Sequence, residues 1–298
     1  MASYLAAPPL ALAHRGGSGL PANVGLENSR TAFRNAVDLG YRYLETDVHA
    51  TSDGHLVAFH DDRLDRVTDS TGAVATLTLA QVRAARIGGR EPVPTLEELL
   101  TEFPTARFNI DIKAPGATDP LWRLIDAHGA HDRVCVGSFS SRRLWRFRRL
   151  SRGSVATAAG RLGVAALRFL PWPVSRLVHT PAVAFQVPWA VGRLPLRLTV
   201  VTRGFVTRAH RLDKQVHVWT IDDPDAMNAL LDLGVDGIVT DRPDLLREIL
   251  RERGGWREPA YDGGAGDDCG AGDDGGAGDD SGAGDDGGVR RTPITPPG

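Results

Sequence analysis

Two carboxylates stand two residues apart in an otherwise apolar run, Tyr43-Leu-Glu-Thr-Asp-Val48. In a β-strand alternate side chains share a face, so Glu45 and Asp47 point one way while Leu44, Thr46 and Val48 point the other. Like charges this close raise each other's pKa, and both stay ionised only when a cation lies between them. Hard oxygen donors of this kind suit Mg²⁺ or Ca²⁺. A lone Glu-x-Asp reads more simply as a solvent-facing strand edge, so the residues around it decide.

Those residues are unusual in type. His14 and Arg15 follow a short apolar run, His60 closes another, and Asp111 and Lys113 share one face of a third. Three acids, two histidines and two cations around one pocket match the needs of phosphodiester hydrolysis. A metal on Glu45, Asp47 and Asp111 polarises a non-bridging oxygen, and Arg15 and Lys113 neutralise the remaining charge. Two histidines serve because one accepts a proton from the nucleophile while the other donates one to the leaving alcohol.

The elements that must position these groups follow in a regular order. Leu10 to Ala13 reads as a buried strand opening into a Gly-rich loop, and Glu27 to Gly40 has helical spacing with Gly40 as its stop. Strand Tyr43 to Val48 completes a βαβ unit, which implies a parallel sheet. Asp53-Gly54 then turns into a strand over residues 55–60, and residues 62–91 form a polar, irregular excursion. Thr95 and Glu98 mark a capping box ahead of a helix over residues 94–100. Strand and helix alternate from Ala106 to Arg251, least legibly over residues 160–198, where five prolines interrupt an apolar stretch.

Eight parallel strands with helices between most of them predict a (β/α)8 TIM barrel over residues 1–255, with a small insertion after the second strand at about residues 53–92. An open doubly wound sheet would be expected to show a Gly-rich dinucleotide or phosphate loop, and none is present. In this barrel type catalytic groups come from the C-terminal ends of several strands, where the polar anomalies fall.

Residues 256–298 differ in kind. The unit Gly-Ala-Gly-Asp-Asp recurs from Gly264, Gly270, Gly276 and Gly282, with no large apolar side chain to offset ordering entropy, so a disordered low-complexity tail is expected. Residues 259–298 hold nine Asp and two Arg, so the formal net charge of −2 divides into −7 there and +5 in the rest. Only Cys135 and Cys269 are present, which is no disulfide framework. With no signal-peptide pattern and no apolar run of membrane-spanning length, a cytoplasmic protein is expected.

A set of motifs then carries a resemblance. His14-Arg-Gly-Gly17, Glu27-Asn28, Glu45-Thr-Asp-Val-His-Ala-Thr-Ser-Asp-Gly54, Phe59-His-Asp61, Pro94-Thr-Leu-Glu-Glu98, Asn109-Ile-Asp-Ile-Lys113, Val218-Trp-Thr220 and Asp236-Gly-Ile-Val-Thr-Asp-Arg-Pro243 together resemble the glycerophosphodiester phosphodiesterase family, in order, from about Leu10 to Leu250. The resemblance implies a TIM barrel, a divalent cation, and hydrolysis of small-molecule diesters such as glycerophosphocholine or glycerophosphoethanolamine to sn-glycerol 3-phosphate and an alcohol in lipid metabolism. Carried over by position, His14 and His60 look like the acid/base pair, Glu45, Asp47 and Asp111 like metal ligands, and Arg15 and Lys113 like phosphate contacts. Glu27, Asn28 and Trp219 look like pocket residues. Asp111 departs from the family, which usually has the longer Glu there.

Other readings stand beside this one. His49, His55 and His217 lie in or beside strands and have ordinary structural or solvent roles open to them. A phospholipase D-type activity on lysophospholipids or sphingomyelin would use the same site. The basic, aromatic segment Ser141 to Arg152 could instead make the chain a binding module that contacts an anionic membrane surface. At helical pitch, however, Leu144, Phe147 and Leu150 turn inward together as in any barrel helix. No nucleic-acid partner is expected.

Overall fold

The computed structural model describes residues 4–176, 180–192 and 198–257. The expected disordered tail from residue 258 onward lies outside the described residues.

The main sheet is built from β1 (Leu10–His14), β2 (Tyr43–Ala50), β3 (Arg107–Ile112), β4 (Val134–Gly137), β5 (Ala156–Thr157), β6 (Ala184–Pro188), β7 (Gln215–Trp219) and β8 (Gly237–Thr240). Neighbours run β5-β4-β3-β2-β1-β8-β7-β6, each pair parallel. The remaining gap is bridged where Ala158 pairs with Ala184. There Val183 N–H donates to Thr157 O at 2.9 Å and Ala159 N–H to Ala184 O at 2.8 Å. The result is a nearly closed barrel of parallel strands, the TIM-barrel form.

Local sequence explains the surrounding helices. α1 (Arg30–Asp38) starts where the Ser29 hydroxyl accepts from Ala32 N–H. The insertion contributes α2 (Leu79–Ala84), and α3 (Leu96–Glu102) carries the Thr95/Glu98 capping box, with both reciprocal bonds made. α4 (Thr118–Ala127) and α5 (Ser141–Ser151) follow, and α5 buries Leu144 and Phe147 as the periodicity requires. After α6 (Arg161–Phe169), α7 (Trp172–Ser175) and α8 (Arg203–His210) comes α9 (Pro224–Leu233), with Asp223 as cap and Gly234 at φ 90° as stop. α10 (Pro243–Glu252) closes the described fold. Among the described residues no helix is long and apolar enough to cross a membrane.

Two segments differ from expectation. Residues 62–91 are not merely irregular. They hold α2, a short two-stranded hairpin (Arg86–Ile87 with Glu91–Pro92), and a small core of Leu64, Val74, Val82 and Ile87 against Leu26, Val57 and Phe59. Residues 160–198 hold α6 and α7 before β6. Pro171 breaks the first helix from the second and Pro173 sits in the first turn of the second, so the prolines punctuate helices instead of excluding them.

The barrel's base is plugged. Tyr4, Leu10, Leu12, Tyr43, Cys135 and Ala156 pack together inside it, and Tyr4 and Tyr43 meet edge to face at 5.4 Å. Cys135 is a free, buried thiol pushed up to about 12 by desolvation. Above this plug the interior turns polar, which leaves the C-terminal ends of the strands as the open face.

Candidate active site

A cavity of about 570 Å³ opens at that face, lined in part by His14, Arg15, Glu45, Asp47, His60, Asp111, Lys113 and Trp219. β2 and β3 explain the acids. Their parallel register sets Glu45 beside Asn109 and Asp47 beside Asp111, so the alternation read from sequence brings four polar side chains to one wall.

His14 ends β1, and the loop that follows is held by backbone constraints. Arg15 (φ 50°) and Asn28 (φ 60°) are both left-handed, and Asn28 N–H donates to Arg15 O at 2.9 Å. Gly16 permits the tight turn, since a Cβ there would stand 2.8 Å from the backbone carbon of Ala32. So fixed, Arg15 N–H donates to Glu45 Oε2 at 3.2 Å, its Nη1 donates to Glu27 Oε1 at 3.1 Å, and its Nε lies 3.3 Å from Asp47 Oδ2.

Each histidine leans on a carboxylate. His14 Nδ1 is 2.8 Å from Asp241 Oδ1 and its Nε2 is 3.8 Å from Glu45 Oε2. Burial opposes its charge, but Glu45 and Asp241 outweigh burial and raise its pKa. His60 Nδ1 is 2.5 Å from Asp61 Oδ1, and Asp61 is gripped by Arg66 at 2.6 Å and 3.1 Å. That guanidinium pulls the Asp61 carboxyl down to about 2. Arg66 also donates to both Glu27 oxygens, at 2.6 Å and 2.9 Å.

The carboxylates differ in partner. Desolvation, and after it the charge of Asp47, pushes Glu45 up to about 7. Asp47 is almost fully buried, and its Oδ2 has no hydrogen-bond donor. Lys113 Nζ sits 2.8 Å from Asp47 Oδ1 and 2.8 Å from Asp111 Oδ2. Burial disfavours the ammonium, yet the two acids outweigh it and raise the Lys113 pKa.

Three placements bear on the expected roles. Glu27 does not line the cavity; it lies behind Arg15, locked between two arginines that outweigh its burial and lower its pKa. Asn28 is likewise outside the cavity and fully buried. Its positive φ turns it to the back of β2, where its Oδ1 accepts from the Thr46 hydroxyl at 2.8 Å. Glu45, Asp47 and Asp111 line one cavity with the Lys113 ammonium between Asp47 and Asp111, and among the described residues no three His, Cys, Asp or Glu side chains are already gathered around a metal position.

Two further acids of the quoted motifs belong to the site. Asp61 meets its sequence neighbour His60, whereas only closure of the barrel brings Asp241 to His14. Gln186 in β6 donates to Asn109 Oδ1 at 2.9 Å, and Phe139 meets Trp219 edge to face at 5.6 Å. Lys113 Nζ lies 5.7 Å from the Phe139 ring centre. His49, Asn28 and His217 serve the frame, with His49 Nε2 3.1 Å from the carbonyl of His60.

The sequence and the fold have counterparts among known proteins. The sequence pattern of the glycerophosphoryl diester phosphodiesterase family matches residues 14–245. The chain belongs to that family. As a member it is a phosphoric diester hydrolase acting on glycerophosphodiesters. It is 44% identical over 256 residues to a probable glycerophosphodiester phosphodiesterase 2 of Mycobacterium tuberculosis, covering 83% of this chain and 92% of the relative. A glycerophosphodiester phosphodiesterase of Caldanaerobacter subterraneus is 29% identical over 259 residues, with 82% of this chain and 99% of the relative covered. The fold is also that of an Oleispira antarctica phosphodiesterase solved with the product sn-glycerol-3-phosphate, at TM-score 0.68 and 22% identity, covering 82% of this chain and 97% of that one.

Proposed function

We propose that the cavity hydrolyses glycerophosphodiesters, such as glycerophosphocholine or glycerophosphoethanolamine, to sn-glycerol 3-phosphate and the free alcohol, with His14 and His60 moving the protons. The observation that carries this is the pair of carboxylate-backed histidines, His14–Asp241 and His60–Asp61, lining one cavity with buried Glu45 and Asp47.

A water molecule attacks phosphorus, and the bond from phosphorus to the head-group oxygen breaks, leaving sn-glycerol 3-phosphate and the alcohol. In this reading His60, oriented by Asp61, accepts a proton from the attacking water. His14, whose pKa Glu45 and Asp241 raise against its burial, donates one to the departing alcohol. Arg15 and Lys113 offset the charge of the phosphoryl oxygens, and Trp219 with Phe139 forms an apolar wall beside the head group.

The donor chemistry around Glu45 and Asp47 fits a hard divalent cation, Mg²⁺ or Ca²⁺. Both are buried oxygen donors, Asp47 Oδ2 has no hydrogen-bond donor beyond the Arg15 guanidinium 3.3 Å away, and burial followed by the charge of Asp47 raises the Glu45 pKa. Asp111 is the third candidate ligand. When bound, such a cation supplies positive charge to a non-bridging phosphoryl oxygen.

One observation favours a second reading. Val164, Ala165, Phe169, Val187 and Val200 extend the same cavity with apolar surface that a glycerol head group does not fill. A lysophospholipid could place a chain there, giving a phospholipase D-type reaction. Choline release from glycerophosphocholine and from lysophosphatidylcholine, compared side by side, separates the two. His14→Ala is expected to reduce turnover by about 10²-fold or more. Unchanged choline release from both substrates in a folded His14→Ala protein would sink both readings.

A further inference from the structure

Between Asp132 and Asp213 the chain has fifteen arginines and no Asp or Glu. The excursion from α6 through α7 lies in this run, beside the open end of the barrel, and its apolar residues are not all turned inward. Leu167 is buried in the core, whereas Leu162, Ala165 and Phe169, spaced i, i+3 and i+7, share the opposite side and are exposed. Leu162 is 77% exposed and Phe169 58%. Leu170 and Val174 are exposed too, as are Val191 and Leu198 on the antiparallel hairpin that follows β6. A short helix with apolar residues on two sides has a use for the second side only if something covers it.

Charge says what that partner is. Arg161 and Arg168 flank the exposed stripe, Arg176 follows α7 exposed, and Arg211 stacks over the Trp172 ring at 5.5 Å. No acidic side chain of this stretch offsets them. Exposed apolar side chains ringed by arginine match the interfacial zone of an anionic lipid bilayer, where the apolar groups enter the acyl boundary and the cations meet phosphates. Position supports the same partner. Arg161, Val164, Ala165, Arg168 and Phe169 line the cavity that holds His14 and His60, so a bilayer against this face would lie at the cavity mouth.

We propose that the α6–α7 face docks the protein on an anionic phospholipid surface, with Leu162 and Val174 inserted and Arg161, Arg168 and Arg176 on lipid phosphates. This surface is distinct from the basic segment of α5, whose Leu144 and Phe147 are committed to the core.

The test is co-sedimentation of the full chain with vesicles of phosphatidylcholine containing roughly a third phosphatidylglycerol, against vesicles of phosphatidylcholine alone. Binding is expected only to the anionic vesicles, and it should weaken as salt screens the arginines. The double variant Leu162→Ser/Val174→Ser is expected to bind about tenfold more weakly. Neither residue lines the cavity, so its melting temperature and its turnover of a soluble diester should match wild type. The vesicle readout also stands if the reading of the active site fails. Failure of the wild type to bind anionic vesicles, or equal binding to both vesicle types, would overturn the proposal. So would full binding by the double variant together with loss in Trp145→Ser on α5, or a self-association that depends on Leu162.

Discussion

His14 and Asp241 come from opposite ends of the catalytic fold, yet Nδ1 and Oδ1 stand 2.8 Å apart across the seam where β8 pairs with β1. The contact fixes the imidazole with Nδ1–H toward the acid and Nε2 toward the cavity. Ser18 steadies the acid from the other side, its hydroxyl donating to Asp241 Oδ1 at 2.6 Å.

Asp241→Asn keeps the shape and removes the charge. Burial lowers the His14 pKa while Glu45 and Asp241 raise it, so loss of one acid moves the pKa downward. If His14 is the proton donor, activity falls as pH rises through that pKa. The alkaline limb of the kcat/KM profile should then shift to lower pH, with a loss of about tenfold or more at neutral pH. An acid limb moved to lower pH, with the alkaline limb unmoved, would show that His14 acts as the base.

Lys113 occupies the gap between Asp47 and Asp111, 2.8 Å from each. Its removal in Lys113→Ala leaves three carboxylates with less positive charge beside them. Calorimetric titration should therefore show Mg²⁺ or Ca²⁺ binding tightened by about tenfold, while turnover drops by about tenfold because a phosphate contact is lost. Weaker cation binding in this variant would mean that the ammonium organises the acids instead of competing for them.

The repeating part of the fold was legible because its signals are local. Thr95 and Glu98 announce α3, and Asp223, Pro224 and Gly234 bracket α9, since caps and breakers act within a turn of themselves. The alternation of Glu45 and Asp47 against Leu44 and Val48 likewise placed the acids on one face. What depends on closure was not legible. Asp241 meets His14 only through tertiary contact, and the direction of Asn28 rests on its positive φ, since a loop residue has no face until its φ is known. In residues 160–198 α6 lacks the single apolar stripe on which helix reading relies.

Arg66 reaches His60 only through Asp61, which makes it a positioning residue. Arg66→Ala should lower kcat several-fold with little change in KM, and melting should barely move, because half-exposed ion pairs contribute little to stability. Arg66→Lys should rescue only in part, since an ammonium cannot grip Asp61 and Glu27 with the same planar fork. A fall in melting temperature as large for Arg66→Ala as for a core truncation would assign the residue to the frame.

His217 supplies the pH test of the barrel interior. It is fully buried, its Nε2 lies 2.9 Å from Gln215 Oε1, and its Nδ1 is 3.4 Å from Gln186 Nε2. An amide oxygen at one nitrogen and an amide NH₂ at the other select the neutral ring with its proton on Nε2. Desolvation accordingly pushes the pKa down to about 4, below the ordinary 6.5. Between those values the unfolded chain binds a proton that the folded chain does not, so this group's contribution to stability falls as pH drops from 6.5 toward 4. Urea unfolding at pH 5 should show wild type losing about 2 kcal/mol relative to pH 7 from this group. His217→Gln keeps a polar side chain that does not titrate, and should lose that much less over the same interval. Parallel losses in the two proteins would mean that His217 is protonated inside the barrel and that the Gln215–His217–Gln186 chain is arranged differently in solution.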